Sequence, residues 1–222
     1  MTPINTRYSP HMKRGTIFGL IASAAIAASV LALANPAPAA EEKEKATTTT
    51  RSGTYTTSKG GSGTTSSVTT RSNGNVRRNG TWTNASGGTG TVQSQRTWNK
   101  STQTATFNGS ATGPNGATTS WQGTAVRTAP GSISASGTIT TAKGTQDTFT
   151  STDTKVAPGT WDKQEVITTA NGKTIDRSVD TSVVGGKGTR TVTTTLPDGQ
   201  TVTRDASFTQ TVAQTPAATP SN

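Results

Sequence analysis

The sequence predicts an all-β protein, an antiparallel meander of repeated β-hairpins. Threonine, which favours strands, contributes 51 of the 222 residues, and glycine, which favours turns, contributes 24. Pairs of turn residues recur at an almost constant spacing through the second half of the chain. Polar and apolar residues alternate between these turns, as they do in strands that cover a core with one face.

The N-terminal segment 1–39 has the layout of a secretory signal peptide. Lys13 and Arg14 precede the uncharged apolar run Ile17–Leu33, and small residues with Ala-x-Ala spacing end at Ala34 or at Ala39. The alternative is a transmembrane anchor, but the run is short for a bilayer and leads into prolines. We therefore predict a cleaved signal and an exported protein, periplasmic or extracellular, with no membrane attachment after cleavage.

The mature chain is predicted to carry two tails that are too polar to fold. Residues 40–52 are charged and rich in threonine, and residues 213–222 contain Pro216 and Pro220. Neither segment can bury enough apolar surface to offset the entropy of ordering it. The predicted organisation is a signal peptide over 1–39 with Met12 as an alternative start, a disordered linker over 40–52, a hairpin repeat domain over 53–212 that is less regular over 53–115, and a disordered tail over 213–222.

Two kinds of turn alternate in the repeat domain. The first kind recurs at almost equal steps, at Asn115-Gly116, Lys143-Gly144, Asn171-Gly172 and Asp198-Gly199. The second kind lies between them, at Ala129-Pro130-Gly131 and Ala157-Pro158-Gly159. Glycine after Asn or Asp supplies the positive φ of tight hairpin turns, and proline fixes the φ before a glycine. Each period is therefore one hairpin, and its two arms are similar in length.

Each arm has a weakly apolar face and a hydroxyl-rich face. In the last arm Val202, Arg204 and Phe208 share one face, while threonine, serine and aspartate occupy the other. Arginine is likewise interleaved with apolar residues in the two arms before it, at Arg177 and Arg190. Leu, Ile, Val and Phe are scarce from position 40 onward, so the core is thin. We expect a curled sheet or an open barrel, whose free edges favour self-association.

The repeat resembles a family of secreted bacterial proteins of unknown function, which are rich in threonine and glycine and are built from hairpin units. The matching segments have the form N/D-G-x-T-x-x-R and run from Asn171 to Arg177 and from Asp198 to Arg204. The resemblance extends over the last half of the chain. It implies a hairpin fold and an exported protein, but no activity, ligand or site residue.

The composition excludes several kinds of catalysis. The chain has no cysteine, so it cannot form a disulfide, a thiol nucleophile or a cysteine-ligated zinc site. Its one histidine, His11, falls within the predicted signal peptide, so the mature chain lacks the usual general base and the commonest metal ligand. We predict a non-enzymatic protein with no catalytic, metal-binding or cofactor-binding residues and no small-molecule cofactor.

The alternative is a carbohydrate-active enzyme, because a glycosidase needs only two carboxyl groups at a defined separation. Asp162 and Glu165 fall on opposite faces of an arm, whereas Asp176 and Asp180 share the hydroxyl-rich face. Spacing alone therefore selects no pair. The candidate acids are Asp147, Asp153, Asp162, Glu165, Asp176, Asp180, Asp198 and Asp205.

The first half of the mature chain is basic. No acidic residue occurs between Lys45 and Asp147, whereas nine lysines and arginines do. Such a field attracts anionic polymers such as nucleic acid, lipopolysaccharide, teichoic polymers or acidic polysaccharide. The alternative is that the charge only aids solubility. We predict that four arginines bind such a polymer through exposed guanidinium groups: Arg77, Arg78, Arg96 and Arg127.

Two further residue types could form binding surfaces. The tryptophans would stack on sugars or bases if exposed, but few other large side chains are available to the core, so we assign them to the core: Trp82, Trp98, Trp121 and Trp161. Alternating threonines over 148–154 and 189–195 would form hydroxyl ladders of the kind that suits ice or crystalline polymers. The twist of hairpin sheets disrupts a flat lattice, so binding to an ordered surface is the minor alternative.

Overall fold

Twelve antiparallel strands close into a β-barrel in the computed structural model, which describes residues 46–214. The predicted signal peptide and most of the predicted C-terminal tail lie outside the described residues. The strands are β1 (Thr47–Thr57), β2 (Ser62–Ser72), β3 (Asn75–Asn84), β4 (Thr89–Asn99), β5 (Thr104–Thr112), β6 (Thr118–Ala129), β7 (Ser132–Thr140), β8 (Gln146–Ala157), β9 (Thr160–Thr168), β10 (Thr174–Val184), β11 (Lys187–Thr195) and β12 (Thr201–Gln214).

Each strand pairs with its neighbours in sequence, and the last strand pairs with the first. β1 and β12 align from Thr47 opposite Gln214 to Thr57 opposite Arg204. The meander is all-β and antiparallel, as predicted, but the expectation of a curled sheet or an open barrel is wrong, because the barrel is closed. Closure satisfies the backbone groups of both end strands. It also leaves the described sheet without a free edge for the expected self-association.

The hairpin period extends over the whole barrel. The odd-numbered strands of the second half begin at almost equal steps, at Thr104, Ser132, Thr160 and Lys187. β1 and β3 begin at Thr47 and Asn75, which are separated by the same step. The segment expected to be less regular, 53–115, therefore forms strands with the same spacing. β1 also includes residues 47–52, which we expected to be part of a disordered linker, because β2 and β12 hydrogen-bond it on both sides.

The two kinds of turn lie at opposite rims of the barrel. At one rim most strands are joined by two-residue turns such as Pro130-Gly131, where Gly131 has a φ of 78°. Proline followed by a glycine with positive φ is the pattern of a type II turn. At the other rim the loops resemble residues 141–145, where the amide of Thr141 donates to the carbonyl of Thr145 at 2.9 Å. Gly144, with a φ of 80°, provides the left-handed residue that a three-residue hairpin loop requires.

The outer face of the barrel is rich in hydroxyl groups, and the interior carries an apolar cluster. Trp82 and Trp98 pack against this cluster, and Trp121 belongs to it with 3% of its surface exposed, so the core assignment of these tryptophans is confirmed. Trp161 is half-buried. The buried members of the cluster come from β5 to β10 and are Ala105, Phe107, Ala111, Trp121, Ala125, Ile133, Ala135, Ile139, Phe149, Ile167 and Ile175.

Six aromatic rings inside the barrel each lie over a glycine directly opposite on the next strand. A Cβ atom added to any of these glycines would come within 3.0 Å of the ring. The glycines make room for the rings, and the rings cover backbone that glycine leaves bare. The pairs are Tyr55 with Gly63, Trp82 with Gly90, Phe107 with Gly123, Trp121 with Gly109, Phe149 with Gly137 and Phe208 with Gly188.

Candidate functional site

Ten charged side chains with displaced pKa values lie at inward positions of the barrel, on β1 to β4 and β8 to β12. Burial acts on the pKa of every one of them. The alternation of a strand places them inside, next to outward polar residues. We call these residues the lumen cluster: the bases Arg51, Arg71, Arg78, Arg96, Lys163, Arg177, Arg190 and Arg204, and the acids Asp153 and Glu165.

Glu165 holds two of the bases in a buried ion-pair network. Lys163 Nζ donates to Glu165 Oε2 at 2.7 Å, and Arg177 Nη1 donates to Glu165 Oε1 at 3.2 Å. The side chains of Lys163, Arg177 and Glu165 are 2%, 0% and 3% exposed. Burial opposes the charge of Glu165, but the two neighbouring bases outweigh it and hold the pKa of Glu165 below its ordinary value. One acid thus compensates two bases.

Aromatic rings accommodate two further arginines of the lumen cluster. The guanidinium carbon of Arg204 lies 3.8 Å from the centroid of the Tyr55 ring. The guanidinium of Arg51 lies 5.0 Å from the Phe208 ring centroid, and its Nε donates to Gln210 Oε1 at 2.8 Å. A guanidinium over an aromatic face is attracted by the ring quadrupole, more strongly when water is excluded. Both arginines therefore have local partners.

Arg190, Arg96 and Asp153 of the lumen cluster keep buried polar atoms that have no hydrogen-bond partner within the described residues. They are Nε and one terminal nitrogen of Arg190, Nε of Arg96, and both carboxylate oxygens of Asp153. Arg96 is 8% exposed and Asp153 is 3% exposed. Buried polar atoms in native proteins nearly always have a partner, so these atoms mark a place where water or a ligand is expected.

The same three residues have displaced pKa values. Burial and neighbouring guanidinium groups lower the pKa of Arg190 to about 9 and that of Arg96 to about 10. Burial raises the pKa of Asp153 to about 6, although the attraction of Lys163 and Arg190 opposes this shift. At neutral pH the seven arginines of the lumen cluster remain protonated and outnumber its two acids, so the interior of the barrel is positive.

The predicted polyanion-binding residues do not share one surface. Arg77 points outward from β3 and is exposed, whereas its neighbour Arg78 points inward. Arg96 is inside the barrel on β4, and Arg127 is half-buried at an inward position near the end of β6. The expectation of exposed guanidinium groups is thus wrong for Arg78 and Arg96, because successive strand residues face opposite sides. That these residues bind a polyanion stays a prediction.

Arg77 lies in a shallow groove on the outer face of β3 to β7. The groove has a volume of about 550 Å³. Its outward side chains carry amides and hydroxyls, two of which are joined where Gln93 Nε2 donates to Ser110 Oγ at 3.2 Å. We call this region the outer groove; its outward side chains are Arg77, Asn79, Gln93, Gln95, Asn108, Ser110, Ser120, Gln122, Thr138 and Thr140.

The candidate acids are spread over both faces of the barrel. Asp153 and Glu165 are inside, whereas Asp162 and Asp180 are outward and lie directly opposite each other on β9 and β10. Partial burial and the neighbouring Asp162 raise the pKa of Asp180. Asp205 accepts a hydrogen bond from Thr191 Oγ1 at 2.8 Å. Within residues 46–214, no three His, Cys, Asp or Glu side chains are grouped as metal ligands would be.

The fold and the lumen cluster define a closed twelve-stranded β-barrel with a hydroxyl-rich exterior and a positive interior. No protein-family model matches the chain, and no protein of curated function matches it. Among solved structures, two mutants of the Rh. blastica porin and a structure titled "Asymmetric conductivity of engineered proteins" are similar to it at 8% identity, with a TM-score of 0.42. Each similarity covers 75% of this chain and 99% of the other. None of the described residues belongs to a helix suited to membrane crossing.

Proposed function

We propose that the protein is an exported, non-enzymatic β-barrel of the cell envelope or its surroundings that stands in water and acts by binding. The signal-peptide pattern of the segment 1–39 supports export. The barrel itself presents hydroxyl and amide groups outward and keeps its rings inside. A barrel that is polar outside and aromatic inside suits a scaffold with a polar binding surface.

The outward side chains of the barrel suit contact with water and not with lipid. Barrels that span a membrane carry an outward apolar band flanked by aromatic residues. Here the outward positions of β8 are Thr148, Thr150, Thr152 and Thr154, and the outward positions of most other strands are likewise polar. The exposed large apolar residues are valines scattered over the strands and their ends: Val68, Val126, Val156, Val166, Val184 and Val212. Hydroxyl groups facing hydrocarbon would lose their hydrogen bonds to water.

The ligand we propose for the outer groove is an anionic polymer of the envelope, such as an acidic polysaccharide. The observation that carries this proposal is the groove itself, which places the exposed Arg77 among amides and hydroxyls. Amides both donate and accept hydrogen bonds and so suit sugar hydroxyl groups, while a guanidinium suits a carboxylate or phosphate. The stretch between Lys45 and Asp147 contains no acidic residue that would repel such a polymer.

Titrations with acidic polysaccharide, lipopolysaccharide and duplex DNA at two ionic strengths test this proposal. We expect Arg77→Ser to weaken binding several-fold and to flatten the dependence on salt, because one contact to an anionic group is lost. Arg78→Ser is the matched control, since Arg78 is adjacent in sequence but faces the lumen. Equal losses in both variants, or binding that does not depend on salt, would contradict the proposal.

A carbohydrate-active enzyme remains the second candidate, favoured by one observation. Asp153 has a raised pKa and Glu165 a lowered one, and the two lie on the inner faces of adjacent strands. Divergent pKa values are typical of an acid paired with a nucleophile or base. Changing each of the eight candidate acids to its amide tests it: an enzyme loses turnover at two positions and retains binding, whereas a binding protein shows no turnover in any form.

A further inference from the structure

The lumen cluster contains more positive charge than its own residues compensate. Glu165 pairs with Lys163 and Arg177, while rings accommodate Arg51 and Arg204. A buried charge without a counter-charge or hydrogen bonds is strongly destabilising. The remaining acid, Asp153, makes no hydrogen bond within the described residues and cannot alone compensate both Arg96 and Arg190.

Guanidinium groups converge in the lumen from different sides of the barrel. Arg190 on β11 interacts electrostatically with Arg78 on β3 and Arg51 on β1. Arg190 and Arg96 both act on Asp153, although they come from strands on either side of it. Side chains just fill a barrel of about eight strands, so a barrel of twelve strands leaves additional space between its walls. Arg190 and Arg96, which both act on Asp153, keep buried nitrogens without a hydrogen-bond partner within the described residues.

Guanidinium groups in this arrangement suit one class of ligand. The planar fork of an arginine matches the two oxygens of an oxyanion, and charge-assisted hydrogen bonds of this kind are short and strong. A doubly charged oxyanion would neutralise two arginines with a single bound species. A polymer does not fit, because the arginines are enclosed by the sheet.

We propose that the lumen holds a small inorganic oxyanion of the phosphate or sulfate class, bound by Arg190 and Arg96 with Arg78 beside them. The site does not depend on the outer groove, because its residues lie on the opposite face of the sheet. The ion completes the interior of the barrel, in the way that a buried counter-ion does. The protein is therefore a small-anion binder, whatever the outer face contacts.

Calorimetric titration of the folded protein with sodium sulfate and sodium phosphate, at ionic strength held constant with sodium chloride, tests the site. The wild type should bind one ion saturably, and its melting temperature should rise with ion concentration as binding linkage requires. Arg190→Gln and Arg96→Gln should each weaken binding roughly tenfold, because each removes a charge-assisted hydrogen bond. Lys187→Gln, at an exposed outward position of β11, should bind like the wild type.

Three additional measurements distinguish specific binding from other effects of the ions. Sulfate and phosphate stabilise many proteins by exclusion from their surfaces, but that effect does not saturate and is the same in all variants. If Arg190→Gln does not fold, Arg190→Lys keeps the charge and loses the planar fork, so it should still bind more weakly than the wild type. Absence of saturable binding in the wild type, or an equal loss in Lys187→Gln, would overturn the proposal. Tighter binding of glycerol phosphate than of phosphate would overturn the assignment to a free ion.

Discussion

Asp153 is an acid among bases whose ionisation is nevertheless suppressed by burial. Only 3% of the residue is exposed, and neither carboxylate oxygen has a hydrogen-bond partner within the described residues. Removing a carboxylate from water costs more than nearby but unbonded bases return. The pKa of Asp153 therefore rises to about 6, above the ordinary 3.8. Folding thus favours the protonated acid, and ionised Asp153 destabilises the barrel.

The raised pKa of Asp153 makes the folded barrel less stable as the pH rises. Between pH 4 and pH 6 the folded state binds a proton at Asp153 that the unfolded state has released, so the free energy of unfolding falls as the pH rises. Above pH 6 the loss levels off, because the folded acid then ionises too. In Asp153→Asn the loss is absent, so between pH 4 and pH 7 the stability of the variant should rise relative to the wild type by about 2 kcal/mol. Urea unfolding at pH 4, 5, 6 and 7 measures the difference.

Ser151→Ala provides the control for this experiment. Ser151 lies two residues away on the same inner face of β8 and is also buried without a hydrogen-bond partner for its hydroxyl within the described residues, but it does not titrate. Its stability difference from the wild type should be the same at every pH. A difference for Asp153→Asn that is also constant would show that Asp153 is ionised throughout and that burial does not dominate.

The inward direction of some arginines could be predicted from the sequence, and that of others could not. Arg177, Arg190 and Arg204 alternate with apolar residues between well-defined turns, which places them on the core face. Arg78 and Arg96 lie where the turn signals are less regular. Because a shift of one residue moves every side chain to the other face, the direction of those two arginines was not determined. The turns gave the period, but only the pairing of the strands gave the register.

At the scale of the strand, the aromatic rings and their glycine partners fill the interior where large apolar residues are few. The turns predicted where each strand begins and ends, because glycine with positive φ is required there. The ring and glycine pairs were not predicted, since each joins positions that meet only in the correct register. The sequence nevertheless contains one indication of these pairs. Trp82 and Gly90 lie equally far from the loop between them, as residues that face each other in a hairpin do.

Gly109→Ala tests the fit between a ring and the glycine opposite. The added methyl group would overlap the ring of Trp121, which is 3% exposed and packed within the apolar cluster. We expect a loss of about 1–3 kcal/mol in the free energy of unfolding, as for other overpacked cores. Urea unfolding measures it.

Gly113→Ala is the matched control, because there the nearest atom is the end of the Asn115 side chain at 3.1 Å, which can rotate away. Adding Trp121→Phe to Gly109→Ala should recover part of the loss by shortening the ring. Additive effects of these two substitutions would show that the ring and the methyl group do not collide.

At the scale of the whole molecule, the charge asymmetry of the sequence becomes an asymmetry between inside and outside. The sequence separates a basic half from a near-neutral half, and the formal net charge is +10. In the barrel, bases from both halves meet in the lumen cluster, while Arg77 remains outside. Barrel closure could not be predicted, because a curled sheet and a closed barrel require the same alternation along each strand. Only the pairing of β1 with β12 distinguishes them.

The pairing of β1 with β12 also sets a condition on the order of folding. Arg51 and Gln210, which are hydrogen-bonded across this seam, are 159 residues apart in the chain. Closing so long a loop is slow, and contacts of this separation form late. While the chain is being synthesised, one edge of β1 therefore stays unpaired until β12 has formed and pairs with it. During that interval the incomplete sheet can accept a strand from a second chain, so the vulnerable species is the nascent protein and not the finished barrel.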